Sequence, residues 1–374
     1  MPVQTPHHRG AIGNPDGRFE RHRRDRIDDG WHRGNYGAGN GDTGNGASQC
    51  DEDGESPPLP TVVATDHART VITRNSSPDI PFDRSINPYR GCEHGCIYCF
   101  ARPSHGYLGL SSGLDFETRL FAKPDAPALL DRELRLPGYR CQPIAIGTNT
   151  DPYQPVERRM GIMRGILEVL AAFHHPVTIT TKSALLLRDI DLLAAMAKNG
   201  LVSVTLSITT LDRPLARRLE PRAAVPEKRL ETLAALAAAA IPAGVSVAPV
   251  IPGLTDHEME RILEAAAGRG ASSASWLLLR LPLEVAPLFD QWLAHHFPDR
   301  RDRVLNLLRQ CRGGRLNAPG FGQRFSGSGP YHAMLSGRFR IAAERLGLGS
   351  RPALRTDLFR PPPRPGDQLS LFGP

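Results

Sequence analysis

The chain has 374 residues, enough for one large α/β domain or two ordinary ones. Its 40% hydrophobic content supports a sizeable core, and no run is long and apolar enough to predict a membrane span. The N-terminal stretch has no apolar signal region and there are only six cysteines, so a cytoplasmic protein is expected and an exported, disulfide-framed one is not. The net charge of +7 is concentrated, because residues 312–364 hold ten Arg against two acids, Glu344 and Asp357. Such a region predicts contact with a polyanion such as DNA or RNA, unless it only keeps a tail in solution.

Residues 1–60 are dense in Gly, Asp, Arg and His, and are expected to be mostly disordered. From Thr61 onward, apolar runs of strand length alternate with helical ones, the pattern of βα units. A first strand is expected through 85–89 into a cysteine-rich loop, then a helix over 127–134. A second strand over 143–147 leads to a helix over 156–173, and a third over 177–181 to a helix over 184–198. A fourth strand, 201–206, precedes helices at 212–219 and 227–240. A fifth, 245–250, precedes a helix over 256–267, and a sixth covers 276–281. Repeated β-then-α connections require parallel strands with right-handed crossovers, so 61–282 are assigned to one α/β domain. Residues 283–348 read as a C-terminal helical extension, with helices over 284–296, 302–310 and 331–346. The Pro-rich segment 349–374 reads as a flexible tail.

The densest chemical signal is Cys92-Glu93-His94-Gly95-Cys96-Ile97-Tyr98-Cys99, a C-x3-C-x2-C triplet. Cys92, Cys96 and Cys99 can hold three corners of an iron–sulfur cube, leaving the fourth iron open to a small chelator. Zinc is the competing reading, with His94 or His105 as a fourth ligand, although the paired C-x2-C layout of zinc ribbons is missing. The other cysteines, Cys50, Cys141 and Cys311, are scattered.

The triplet resembles the signature of the radical SAM superfamily. The resemblance implies a 4Fe-4S cluster and S-adenosylmethionine as cofactors, and an open, partial (β/α)6 TIM-like barrel as the fold. In α/β barrels the active site lies at the C-terminal strand ends, and each end here offers polar groups. Tyr98 resembles the aromatic that packs on the adenine in that superfamily, and is equally a packing residue. After the second strand, Gly147-Thr148-Asn149-Thr150-Asp151-Pro152-Tyr153 stands where the superfamily binds the methionine amino group through a Gly-Gly-Glu-like segment. Thr148, Thr150 or Asp151 is expected to take that role, with a turn cap as the alternative for Asp151. Lys182 ends the third strand and is assigned to the methionine carboxylate. Ser207 and Thr209 can bond the same group or the ribose, and Arg222 of Glu220-Pro221-Arg222 can add a second cationic contact. Val250-Ile251-Pro252-Gly253 resembles the turn that cradles the adenine, which assigns Ile251 to it.

Over residues 60–345 the chain resembles an uncharacterised bacterial family likened to spore photoproduct lyase, through Asn87-Pro88-Tyr89-Arg90-Gly91-Cys92, Gly147 to Pro155, Leu219-Glu220-Pro221-Arg222 and Ala248 to Gly253. Arg9-Gly10-Ala11, Asn14-Pro15 and Arg18-Phe19-Glu20 also look like that family's N-terminal element. The lyase reverses a thymine dimer and returns a hydrogen atom from a cysteine near the second strand end. Ile146 and Gly147 occupy that neighbourhood here, and Cys141 stands at the start of the strand.

The end of the chain, Gln368-Leu369-Ser370-Leu371-Phe372, resembles the pentapeptide by which bacterial polymerases and repair proteins dock on the DNA polymerase III β sliding clamp. Leu371 and Phe372 would anchor in an apolar pocket beside Leu369, and Gln368 would hydrogen-bond. The alternative is that these residues fold back onto the barrel. The expected protein is a radical SAM enzyme with a lyase-like reaction on DNA, reduced by flavodoxin or ferredoxin. The competing readings are an RNA, protein or metabolite substrate, and a non-catalytic metal-binding interaction protein.

Overall fold

Short apolar runs separated by helices produce six parallel strands, β3 (Arg84–Ile86), β6 (Ile144–Ile146), β7 (Val177–Thr181), β8 (Val202–Ser207), β9 (Ala243–Val250) and β10 (Ser273–Leu278), in the computed structural model, which describes residues 9–20 and 59–364. They lie in the order β10-β9-β8-β7-β6-β3, and β2 (Ile72–Arg74) adds an antiparallel edge beside β3. This is the expected open (β/α)6 arrangement, with strand order following chain order as right-handed crossovers require. A second, three-stranded sheet joins β1 (Val62–Thr65), β5 (Arg119–Ala122) and β4 (Tyr89–Arg90), and delivers the chain into the cysteine loop.

The central strand β8 is buried throughout, and its two faces carry different chemistry. Val202, Val204 and Leu206 turn one way, while Ser203, Thr205 and Ser207 turn to the inner face, because side chains alternate along a strand. Helices cover the outer face through Ile166, Leu170, Leu193, Met196, Leu233 and Leu236, all buried. The small hydroxyls keep the inside of the barrel narrow but polar.

Several expected helices are broken where the backbone explains it. The one expected over 156–173 divides into Glu157–Met160 and Ile162–Ala172 at Gly161, whose φ is +64°. The buried Glu157 carboxylate then accepts the amides of Ile162 and Met163 at 3.1 Å each, capping the second piece.

Two terminal segments differ from expectation. Residues 9–20 pack on the domain, with Arg9 and Ala11 buried. The segment after Leu348 is fastened along the end of the barrel opposite the strand C-termini. Gly349 bridges to Ser273, Arg351 donates to Thr205 Oγ1 at 2.8 Å, and the Arg360 amide donates to Phe173 O at 3.1 Å. Phe359 stacks on Phe173, and Arg364 pairs with Asp131 at 2.8 Å. Proline content suggested flexibility, but one aromatic and a few arginines supply enough contact to hold this segment down. The arginine-rich region is equally absorbed. Arg324, Arg338, Arg340, Arg345, Arg355 and Arg364 all pair with carboxylates, so most of its charge is neutralised within the chain.

Candidate active site

The cysteine loop turns at Gly91 (φ +76°) and Gly95 (φ +67°), conformations that suit glycine. Arg102, fully buried, organises the loop from behind. Its guanidinium donates to Cys96 O at 2.9 Å, Gly95 O at 3.0 Å, Gly113 O at 2.9 Å and Ser112 O at 3.1 Å, and pairs with Glu117 at 2.5 Å. Elsewhere the loop rests on neighbouring strand ends. The Ile97 amide donates to Leu219 O at 3.1 Å, the Arg222 amide to His94 O at 3.3 Å, and the Glu93 amide to Gln154 Oε1 at 2.8 Å.

The N-terminal element lies directly beneath this loop. The amides of Gly10 and Ala11 both donate to the Glu117 carboxylate at 2.9 Å, and Arg9 donates to Glu117 O at 2.9 Å. A Cβ on Gly10 would stand 1.8 Å from Gly95 O, so only glycine allows this approach. Asn14 exchanges two hydrogen bonds with Asp115, and Arg18 pairs with Glu284 at 2.7 Å.

The loop opens on a cavity of about 330 Å³, a volume suited to a small cofactor. Cys92, Cys96 and Cys99 line it together with residues from the C-terminal ends of β6 to β10. Of the nine side chains assigned to S-adenosylmethionine, Tyr98, Thr148, Thr150, Asp151, Lys182 and Ser207 reach the cavity. The others do not. Thr209 lies behind Tyr98 and donates to Glu220 at 2.7 Å. Arg222 pairs with Glu93 at 3.1 Å, and Ile251 is fully buried in the core.

Asp151 has the turn-cap role that was its alternative. Its Oδ1 accepts from the Tyr153 amide at 2.9 Å and Thr181 Oγ1 at 2.7 Å, and its Oδ2 accepts from the Lys182 amide at 2.8 Å and faces His94 Nδ1 at 3.3 Å. Its acceptor sites are thus taken up within the chain. Thr150 similarly gives its hydroxyl proton to Tyr89 O at 2.9 Å. Gly147 (φ +85°) lets this loop lie against β7, since a Cβ there would stand 2.0 Å from Thr180 O.

Lys182 is different. No hydrogen bond or ion pair reaches its ammonium among the described residues, and Nζ lies 5.9 Å from the Tyr98 ring centroid. Burial disfavours the charge, but Cys96 and Glu220 outweigh it and raise its pKa. Tyr98 is fixed from below, its hydroxyl bonded to Glu220 and lying 3.1 Å from Thr209 Oγ1. Glu220 is in turn paired with the buried Arg229.

The thiols fit a cluster. Burial pushes the Cys92 thiol well up, with Asp151 and the neighbouring cysteines adding to it, and pushes Cys96 up to about 12 against the opposing pull of Lys182. Such thiols ionise when a metal takes the place of the proton. A cubane takes each thiolate on its own iron, which three cysteines around one cavity can supply. His105, the other zinc candidate, lies outside the cavity with Nε2 2.9 Å from Arg119 O.

Asp151 and Glu220 also make an acid-sensitive pair. Burial alone would raise both. His94, Thr181 and the Lys182 amide hold Asp151 at about 2, against an ordinary 3.8. Arg229 and Lys182 hold Glu220 at about 2, against 4.5. Folded-state values below the unfolded ones mean that both carboxylates contribute fully above pH 4.5 and lose that contribution as pH falls toward 2. Thermal melting of the cluster-free protein is expected to fall steeply from pH 5 to 3. Glu220→Gln should melt lower at neutral pH and show a flatter decline, and an unchanged slope would remove Glu220 from this role.

Four findings on relatedness accompany this geometry. A family profile for the Radical SAM superfamily matches residues 86–266, from the end of β3 past β9. The chain is 41% identical over 233 residues to an uncharacterised protein of Mycobacterium tuberculosis, covering 62% of this chain and 68% of that one. It is 30% identical over 173 residues to an uncharacterised protein of Methanocaldococcus jannaschii, covering 46% and 62%. Among solved structures, spore photoproduct lyase complexed with dinucleoside spore photoproduct shares the fold, with a TM-score of 0.56, 16% identity, and coverage of 78% of this chain and 81% of that one.

The chain belongs to the radical SAM superfamily, which implies a 4Fe-4S cluster and S-adenosylmethionine as its cofactors. Cys92, Cys96 and Cys99 would hold the cluster, with the Lys182 ammonium facing a carboxylate in the same cavity. When bound, such cofactors would supply radical chemistry at this cavity. The chain's own part is to orient them and keep water out, through Tyr98, Ala248, Pro249 and Leu278 around the cavity.

The sequence reading passed over Phe100, Arg280 and Phe325, which also line the cavity. Arg280 was placed inside a sixth strand running to residue 281. The strand ends at Leu278, and this puts Arg280 at the strand end where site residues gather.

Proposed function

We propose that the protein is a radical SAM enzyme whose substrate is a damaged or modifiable base in DNA, with a lyase-like reaction. The observation that carries the radical chemistry is the meeting, in a single cavity, of three cysteines, two of them buried, with a lysine ammonium that has no partner among the described residues. The fold shared with spore photoproduct lyase, solved with a dinucleoside photoproduct, supports a nucleotide as the substrate. Among the described residues no cysteine stands at the second strand end, so the proposed hydrogen-return step does not use that lyase's cysteine position. Cys92, Cys96 and Cys99 are the cysteines lining the cavity, and Cys141 lies outside it. A reducing cytoplasm, with flavodoxin or ferredoxin as electron donor, suits free thiols and an oxygen-sensitive cluster.

Recruitment to the sliding clamp through Gln368, Leu369, Leu371 and Phe372 is part of the same proposal. These residues lie outside the described residues. Replacing Leu371 and Phe372 by alanine should abolish binding to immobilised clamp, and undiminished binding would dismiss the tail as the docking element.

The test of function is 5′-deoxyadenosine formation by the reconstituted protein under reducing, anaerobic conditions, with and without ultraviolet-irradiated DNA. Stimulation by irradiated DNA alone is expected. Formation indifferent to any DNA would move the substrate to RNA, protein or a metabolite.

A further inference from the structure

Arg280 stands at the mouth of the cavity, just beyond β10. Its guanidinium carbon lies 4.4 Å from the Phe100 ring centroid and 5.1 Å from that of Phe325, so two rings flank one cation. Arg324 continues the series, 5.3 Å from Phe325 and 5.2 Å from Phe321. The two arginines differ in one respect. Arg324 is neutralised by Asp79 at 2.8 Å, whereas no hydrogen bond or ion pair reaches the Arg280 guanidinium among the described residues. Phe100 is 41% exposed and Phe321 67%, so aromatic faces remain open beside it.

A guanidinium flanked by rings keeps its N–H edge free in one plane, the geometry that grips a phosphate with two hydrogen bonds. Exposed aromatic faces accept any nucleobase, whatever its sequence. A cavity of about 330 Å³ is far too small for a duplex, so a base must leave the stack to be reached. We propose that Arg280, Phe100, Phe325 and Phe321 form a platform that seats an unpaired nucleotide of the substrate strand over the cavity, Arg280 on its phosphate and the open rings under its neighbouring bases. This rests on the reading of a nucleic acid as substrate and adds which residues receive it.

The holoprotein with S-adenosylmethionine would be titrated into a fluorescein-labelled oligothymidylate and into the matching duplex, followed by anisotropy. Single strand should bind more tightly than duplex. Arg280→Lys keeps the charge but loses the planar fork, and Phe321→Ala removes a stacking face; each should weaken single-strand binding about tenfold. Phe321 and Phe325 lie on a loop without cysteine ligands, and the iron content of each variant reports whether the fold survives. Wild-type affinity in Arg280→Lys and Phe321→Ala alike would overturn the platform while leaving a nucleic-acid substrate standing. A wild-type protein that binds no oligonucleotide would overturn the substrate reading and the platform with it. Equal weakening on duplex and single strand would overturn the unpaired nucleotide.

Discussion

Cys96→Ala is expected to reduce the iron retained after anaerobic reconstitution to background, and with it all 5′-deoxyadenosine formation. Cys96 lies in the middle of the triplet, its carbonyl held by Arg102 and its thiol buried near Lys182. Removing it leaves two thiols of the triplet, and neither His94 nor His105 is placed to replace it. His94 faces Asp151, and His105 points away from the cavity. Cys141→Ala is the matched control. It removes a half-buried thiol outside the cavity, and iron content should stay at the wild-type level. Full iron in Cys96→Ala, measured with sulfide on the same sample, would remove the cluster assignment. Zinc in its place in the wild-type protein would favour a structural metal site.

Most of the barrel was legible because its determinants are local. All six parallel strands were expected from apolar runs between helical stretches, and the cysteine spacing carries its chemistry in eight consecutive residues. Residues whose partners are distant in sequence were read less well. Asp151 looked like a ligand because a strand-end carboxylate usually is one, and its four partners come from the loop itself, β7 and the cysteine loop. Arg222 and Thr209 sit near strand ends but turn toward Glu93 and Glu220. Counting arginines over 312–364 overstated the free charge, because the paired acids Asp79, Asp131, Glu260 and Glu264 lie elsewhere in the chain. The three-stranded sheet escaped notice because strands of two to four residues carry no periodicity to read.

The N-terminal element was the least legible part, and Gly10→Val is expected to show what it does. The substitution drives side-chain atoms into Gly95 O and so forces the strap away from Glu117. Glu117 then loses the Gly10 and Ala11 amides while keeping Arg102, leaving a fully buried carboxylate short of two donors. Overpacking costs about 1–3 kcal/mol, and each unmade bond to a buried charge adds to that. Because the loss is confined to the back of the cysteine loop, cluster retention should drop severalfold and the cluster-free protein should be cut faster near the loop by protease. Residues 9–20 contain no helix or strand, so far-ultraviolet circular dichroism should change little. Gly13→Ala is the control in the same segment, since its Cβ meets nothing within 4 Å. Equal iron retention in the two variants would mean that the strap merely decorates the domain. Loss in Gly10→Val alone would make residues 9–20 a brace for the cluster loop, which explains why Arg, Gly, Asn and Arg recur there at positions that composition alone reads as disorder.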